Sequence, residues 1–254
     1  MALTEYQQEL KSKFVAARGV WGDQWESFLI LDPAYFERYL NWMLVPSQNS
    51  YLPPKIQEFI HITINAATTH LHSPALRAHI QEAIRLGATK EEITEVLQLT
   101  STVGIHACNI GVPLLLEVMK EENITIPSVA SEEELERLRQ EFTQARGYWH
   151  QFWEDFLQLD PKFFEGYTNY SSEPWRTGTL EPKYKELIYC AFDSACTHLY
   201  VSGLKVHIQN ALRLGATPQQ VMEVLEIASL MGIQSQTTAL PILREELERS
   251  NLAT

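Results

Sequence analysis

The stretch from Leu76 to Thr89, LRAHIQEAIRLGAT, returns at Leu204 to Thr217 as LKVHIQNALRLGAT, with ten of fourteen positions identical and a constant offset of 128. The register holds outward without a gap. Lys55 and Glu58 in KIQEFI meet Lys183 and Glu186 in KYKELI, and Trp21, Trp25, Asp32 and Pro33 meet Trp149, Trp153, Asp160 and Pro161. A unit of about half the chain is written twice, and a period this long occurring only twice marks a duplicated domain, not a solenoid. The units are placed at residues 1–127 and 129–254, each long enough to bury a core. With only a few residues between them, they are expected to pack together.

Within each unit apolar positions recur at helical spacing, while Gly and Pro gather at boundaries. The expected fold class is therefore all-α, a tandem duplication of one helical domain. A first helix is expected from Thr4 to Arg18, stopping at Gly19. WGDQWESFLI forms a second, and Asp32 followed by Pro33 at the first helical position starts a third. After a loop at Pro46 to Pro54 comes KIQEFIHITINAATT, apolar around most of its circumference and so central. A turn at Thr69 to Pro74 leads into a helix from Ala75 to Leu86, with Gly87 as a left-handed cap. Thr89 with Glu92, Thr217 with Gln220, and Ser131 with Glu134 read as capping boxes. Pro113 and Pro241 are expected near a start or a kink of the last helix in each unit.

Composition sets limits on partners. With 32 acidic against 20 basic residues the net charge is −12, which repels phosphate backbones and anionic lipid, so neither nucleic acid nor a membrane is an expected partner. The start, MALTEYQQELK, carries no secretory pattern, and no apolar run reads as long enough to span a bilayer, so a cytoplasmic location is expected. Three cysteines, Cys108, Cys190 and Cys196, make no even framework, and none has a cysteine at its counterpart. No disulfide is expected, and Cys190 and Cys196 read as small core residues.

The chemistry lies in a polar seam. Glu58, His61 and Asn65 fall at i, i+3 and i+7 of the central helix with Thr69 a turn further, and the second copy repeats the seam as Glu186, Tyr189, Asp193 and Thr197. Polar groups on a buried helix need partners or a wet cavity. His79 shares a stripe with Leu76, Ala83 and Leu86, and His207 with Leu204, Ala211 and Leu214, so each imidazole is directed inward. The two helices form a hairpin that can bring Glu58 to His79 and Glu186 to His207, an acid and a base tuned by burial. His70 and His198 are expected to add a third group at the cavity mouth, and Asn65, Asp193, His61 and Tyr189 to contact substrate. His106, matched by Gln234, reads as structural. The structural alternative is that each histidine is a satisfied core residue and Glu58 a first-turn acid favoured by the helix dipole. Glu58 with His61 spells ExxH, but Tyr189 breaks the pattern in the second copy, so no metal and no other cofactor is expected.

At these residues the chain resembles the carboxymuconolactone decarboxylase superfamily, which includes the alkylhydroperoxidase D-like proteins. The pattern K-x-x-E-[FL]-I, then H-I-Q-x-A, then [IL]-R-L-G-A-T and EVL, covers about Lys55 to Glu117 and Lys183 to Glu245. The resemblance implies an all-helical fold, a Glu58/His79 and a Glu186/His207 acid/base pair, and a homotrimer of tandem chains. In redox members a CxxC precedes the histidine. Here those positions hold His72 and Ala75, or Tyr200 and Gly203, so dithiol peroxide chemistry has no nucleophile. Counted from the glutamate, the first such position falls on His70 and His198.

Three functions follow, in order. The first is a cofactor-free lyase or proton-transfer enzyme acting on a small carboxylated or lactone substrate, with Lys55 or Arg77 as a cation for its carboxylate. The second is a non-enzymatic oligomeric binding or scaffold protein. The third is residual peroxidase activity through Cys190 or Cys196. Differences such as Asn65 against Asp193 allow one site to be active and the other vestigial.

Overall fold

A computed structural model describes residues 2–125 and 129–250. Among them are fifteen α-helices and two 3₁₀ turns, and no strand. In the first copy these are α1 Glu5–Arg18, α2 Asp23–Leu31, α3 Pro33–Met43, α4 Val45–Asn49, α5 Pro54–Ala66, α6 Ser73–Arg85, α7 Lys90–Ser101 and α8 His106–Glu121. In the second they are α9 Glu132–Arg146, α10 Phe152–Leu159, α11 Pro161–Thr177, α12 Pro182–Ser194, α13 Val201–Arg213, α14 Pro218–Ser229 and α15 Gln234–Arg249. The junction expected at Pro127 lies outside the described residues.

The local signals explain most boundaries. Thr4 caps α1 through a reciprocal bond with Gln7, and Gly19, at φ 69°, ends it in the left-handed region that a side chain would resist. Asp32 and Asp160 cap the helices that begin at Pro33 and Pro161. Both expected threonine capping boxes form, whereas Ser131 caps α9 without the return bond from Glu134. Two expectations are corrected, and of the two alternatives for the prolines the helix start is excluded. The loop after Pro46 contains the short helix α4, which in the second copy is continuous with the preceding helix as α11. Helix α5 stops at Ala66, so exposed Thr69 and Thr197 lie in the turns and not on the polar seam. Pro113 and Pro241 sit in the interiors of α8 and α15, because a 3₁₀ turn carries the chain into each helix seven residues before the proline.

The units interlock. One central core joins α5, α6 and α7 to α12, α13 and α14, with Phe59, Ile60 and Val96 beside Leu187, Phe192 and Val224. Two flanking cores each take residues from both copies. Leu10, Phe14, Phe28 and Phe36 pack with Leu230, Ile233 and Leu240, and Phe142, Trp153, Phe156 and Phe164 pack with Ile105, Cys108 and Val112. Accordingly α15 lies on α2 and α8 on α10, so the last helix of each copy closes the aromatic bundle of the other.

A buried carboxylate ties each crossing. Glu223 on α14 accepts from the backbone N–H of Tyr51 at 2.8 Å and from Gln57 at 2.7 Å. Its counterpart Glu95 on α7 accepts from the N–H of Thr179 at 2.6 Å and pairs with buried Lys185 at 2.8 Å. Each acid thus satisfies backbone N–H groups of the segment that leads into the other copy's central helix, which lie outside any helix and have no internal partner.

One reading of hydropathy also changes. Lys90–Glu121 forms a continuous helical run of 32 residues that is long and apolar enough, by length and composition alone, to cross a membrane.

Candidate active site

In the first copy the hairpin of α5 and α6 brings the expected pair into contact. His79 Nδ1 lies 2.7 Å from Glu58 Oε2, and both side chains are buried. An ionised carboxylate only accepts, so Nδ1 carries the hydrogen and Nε2 keeps its lone pair. The His61 ring stacks parallel on His79 at 4.0 Å. Arg18, the last residue of α1, places Nη2 3.1 Å from His79 Nδ1 and 3.3 Å from Nε2, with Nη1 3.7 Å from Glu58 Oε1. Since Nδ1 donates to Glu58, the guanidinium cannot donate to it and donates instead to the Nε2 lone pair at 3.3 Å. Burial pushes the His79 pKa well down from its usual value, and Arg18 and His72 push the same way; His61 is lowered by burial, then by His79 and Arg18. Both imidazoles are neutral at pH 7.

This group faces a cavity of about 790 Å³, whose wall includes Trp21, Trp25, Tyr39, Met43, His72 and, from the second copy, Gln234. Trp21 and Trp25 therefore serve both the aromatic core and the cavity wall. Arg77 also lines the cavity, but Lys55 is turned away into a 2.7 Å ion pair with Glu92, so the cation beside the pair is Arg18. Sequence reasoning missed it because an arginine at a helix C-terminus is already explained by the helix dipole.

The second copy has the pair without the room. His207 Nδ1 lies 2.6 Å from Glu186 Oε2, but the adjacent cavity measures about 20 Å³, space for one water. Larger side chains fill it. Tyr148 stands where the first copy has Val20, Phe152 for Gln24, Tyr189 for His61 and Tyr200 for His72. Tyr189 packs on His207 at 4.5 Å and accepts a bond from Trp175 at 3.1 Å, which leaves no space for the substrate contact expected of it. Arg146, the counterpart of Arg18, is buried over the rings of Trp175 and Tyr189.

The third histidines are not where they were expected. Neither His70 nor His198 lines its cavity. His70 bonds Gln234, which donates to Asn65 at 2.7 Å, and His198 bonds His106 at 2.6 Å. Asn65 lines the first cavity, whereas Asp193 is fully buried behind the second. His106 is likewise buried among ionisable groups, not a plain packing residue. Cys190 is a core residue, but Cys196 is exposed, which corrects its reading as one. The donor atoms of Glu58, His61 and His79 lie within 4.8 Å of one another, as metal ligands do, but Arg18 already supplies positive charge there and opposes a dication.

An all-helical tandem fold with a glutamate–histidine pair on one hairpin defines the class. The model of the carboxymuconolactone decarboxylase family matches residues 33–106 and 161–245, one match in each copy. The chain belongs to that family. A crystal structure of a protein from Burkholderia xenovorans LB400, proposed to be a gamma-carboxymuconolactone decarboxylase subunit, superimposes with a TM-score of 0.93 and is 46% identical, covering 96% of this chain and 98% of that one. No curated protein matches the chain.

Proposed function

We propose that the first-copy cavity is the single catalytic site of a cofactor-free lyase or proton-transfer enzyme acting on a small carboxylated or lactone substrate. The observation that carries this reading is the coincidence of a neutral histidine, an orienting carboxylate and a cation on the wall of a cavity of about 790 Å³, with the second cavity filled. Arg18 holds the substrate carboxylate, and the apolar wall strengthens that attraction by excluding water. His79 Nε2 takes up a proton, and Glu58 stabilises the imidazolium formed. In a decarboxylation the C–C bond breaks with its electron pair left on an enolate, carbon dioxide departs, and His79 gives carbon a proton drawn from solvent. The similarity to the Burkholderia xenovorans protein, itself proposed to be a decarboxylase subunit, favours decarboxylation among the reactions open to this pair.

Turnover of a panel of lactone acids, followed by carbon dioxide release and product chromatography, tests the proposal. His79→Gln is expected to lower kcat by about a hundredfold or more, the scale of a lost general acid/base. His207→Gln is expected to leave it within twofold. Equal losses in both variants, or activity unaffected by His79→Gln, would remove the assignment and favour a binding protein.

We also propose a cytoplasmic homotrimer. Ile110, Leu114, Leu115 and Val118 on α8, with Ile242 and Leu243 on α15, expose apolar surface that suits contact with further copies better than solvent. Light scattering is expected to give three times the chain mass of 29.2 kDa.

A further inference from the structure

The closed half of the molecule holds a second cluster that the proposed chemistry does not use. His106, the first residue of α8, meets Asp193 on α12 and His198 in the following turn. His106 Nδ1 lies 2.6 Å from His198 Nε2, His106 Nε2 lies 3.8 Å from Asp193 Oδ1, and one donor atom from each of the three lies within 4.8 Å of the others. Asp193 is 0% exposed, and neither carboxylate oxygen has a hydrogen-bond partner. Among the described residues its only ion-pair neighbour is His106, itself held neutral because burial and then His198 lower its pKa to about 3. A buried carboxylate with no donor and no cation costs several kcal/mol, so the site is incomplete as it stands.

The other copy provides an internal comparison. At the equivalent positions stand Gln234, Asn65 and His70. There Gln234 Nε2 donates to Asn65 Oδ1 at 2.7 Å, Gln234 Oε1 meets His70, and Asn65 Nδ2 donates to the His61 carbonyl at 2.8 Å. That chain of neutral amides is satisfied without any ion. Replacing its asparagine by aspartate and its glutamine by histidine removes the amide donors and creates one carboxylate and two imidazoles on the same backbone frame. Gly203, where the first copy has Ala75, gives Asp193 its room, since a Cβ there would stand 2.6 Å from Oδ2.

We propose that His106, Asp193 and His198 bind one divalent transition-metal ion, zinc in preference, which pins the first copy's last helix to the second copy's central hairpin. Nitrogen and carboxylate donors suit zinc, and neutral imidazoles are the form that ligates. Three protein donors leave the fourth position of a tetrahedral site to a water. Ligands around tetrahedral zinc stand roughly 3.4 Å apart, so the two rings must separate by under about 1 Å. His198, half-buried on its turn, can move that far. Burial also pushes Asp193 up to about 7, a cost that a cation at the carboxylate relieves.

The test uses untagged full-length protein, stripped with chelator and titrated with zinc chloride or cobalt chloride. The expected result is one zinc per chain by mass spectrometry, a rise in Tm on zinc addition, and visible absorption bands of four-coordinate cobalt. His106→Gln with Asp193→Asn rebuilds the amide chain that the first copy already folds around, so it is expected to keep the helical circular dichroism and lose zinc affinity by at least a hundredfold. His198→Ala is expected to weaken binding likewise. Less than a tenth of an equivalent of zinc in the wild type, or undiminished binding in the double variant, would overturn the proposal. So would zinc loss caused by His61→Ala, which would place the ion in the other cavity.

Discussion

Arg18 stands 3.1 Å from the ring of His79 and is only partly exposed, so its charge acts where water is scarce. Arg18→Met keeps the length and removes the charge. Steady-state kinetics are expected to show KM raised roughly tenfold, the value of a charge-assisted contact, with a smaller change in kcat. Acid should weaken the fold through the histidines. His61 and His79 are lowered well below 6.5 by burial first, and His106 to about 3. Their contribution to stability is complete above about pH 6.5 and is lost as pH falls, because the unfolded chain takes up protons the native state refuses. Asp193, raised to about 7, works in the opposite sense and cancels part of this. With His72 and His198 lowered in the same sense, metal-free protein is therefore expected to lose stability between pH 6.5 and 5.5, as read by urea unfolding at each pH. Constant stability over that interval would mean that the native and unfolded chains take up protons equally there, and would overturn the lowering of the histidines. At this scale the Glu58–His79 contact was legible because the same two residue types recur 128 positions on. Arg18 and the cluster at His106 were not, since the first has an ordinary explanation at a helix end and the second differs between the copies.

Among the elements, α7 and α14 have the role that periodicity alone could not assign. Each buries an apolar stripe, and Glu95 and Glu223 are buried beside it at the crossing of the copies. The two acids are not equivalent energetically. Glu223 accepts from Gln57, a neutral donor, whereas Glu95 faces Lys185, which is 3% exposed. Glu95→Gln strands that ammonium in the core and is expected to cost about 3 kcal/mol in chemical unfolding, while Glu223→Gln costs about 1. Lys185→Gln combined with Glu95→Gln should recover much of the loss, because no uncompensated charge then remains. The helices and their caps were readable from Thr, Asp, Pro and Gly signals, but partner choice was not. An apolar stripe states that a face is buried and is silent about which helix covers it.

For the whole molecule the interlocked ends mean that neither sequence unit owns a complete core. Residues 1–125 alone lack Leu230, Ile233 and Leu240 from one aromatic cluster and the entire second half of the central one. This fragment is expected to show no cooperative thermal transition, and to regain one when mixed with residues 129–254. An independently folding fragment would contradict the crossed packing of α8 and α15. The duplication was plain in the sequence, whereas the crossing was hidden, because a unit closed by its own last helix and one closed by its neighbour's have identical sequences. Joining both copies in one polypeptide frees them from having to remain alike. A self-associating ancestor with one gene would carry every pocket-filling tyrosine into all of its sites at once, while this chain can wall up one hollow with Tyr148, Tyr189 and Tyr200 and keep its twin roomy. A tight inhibitor titrated against the pure protein should therefore saturate at one molecule per polypeptide, half of what the repeat count suggests.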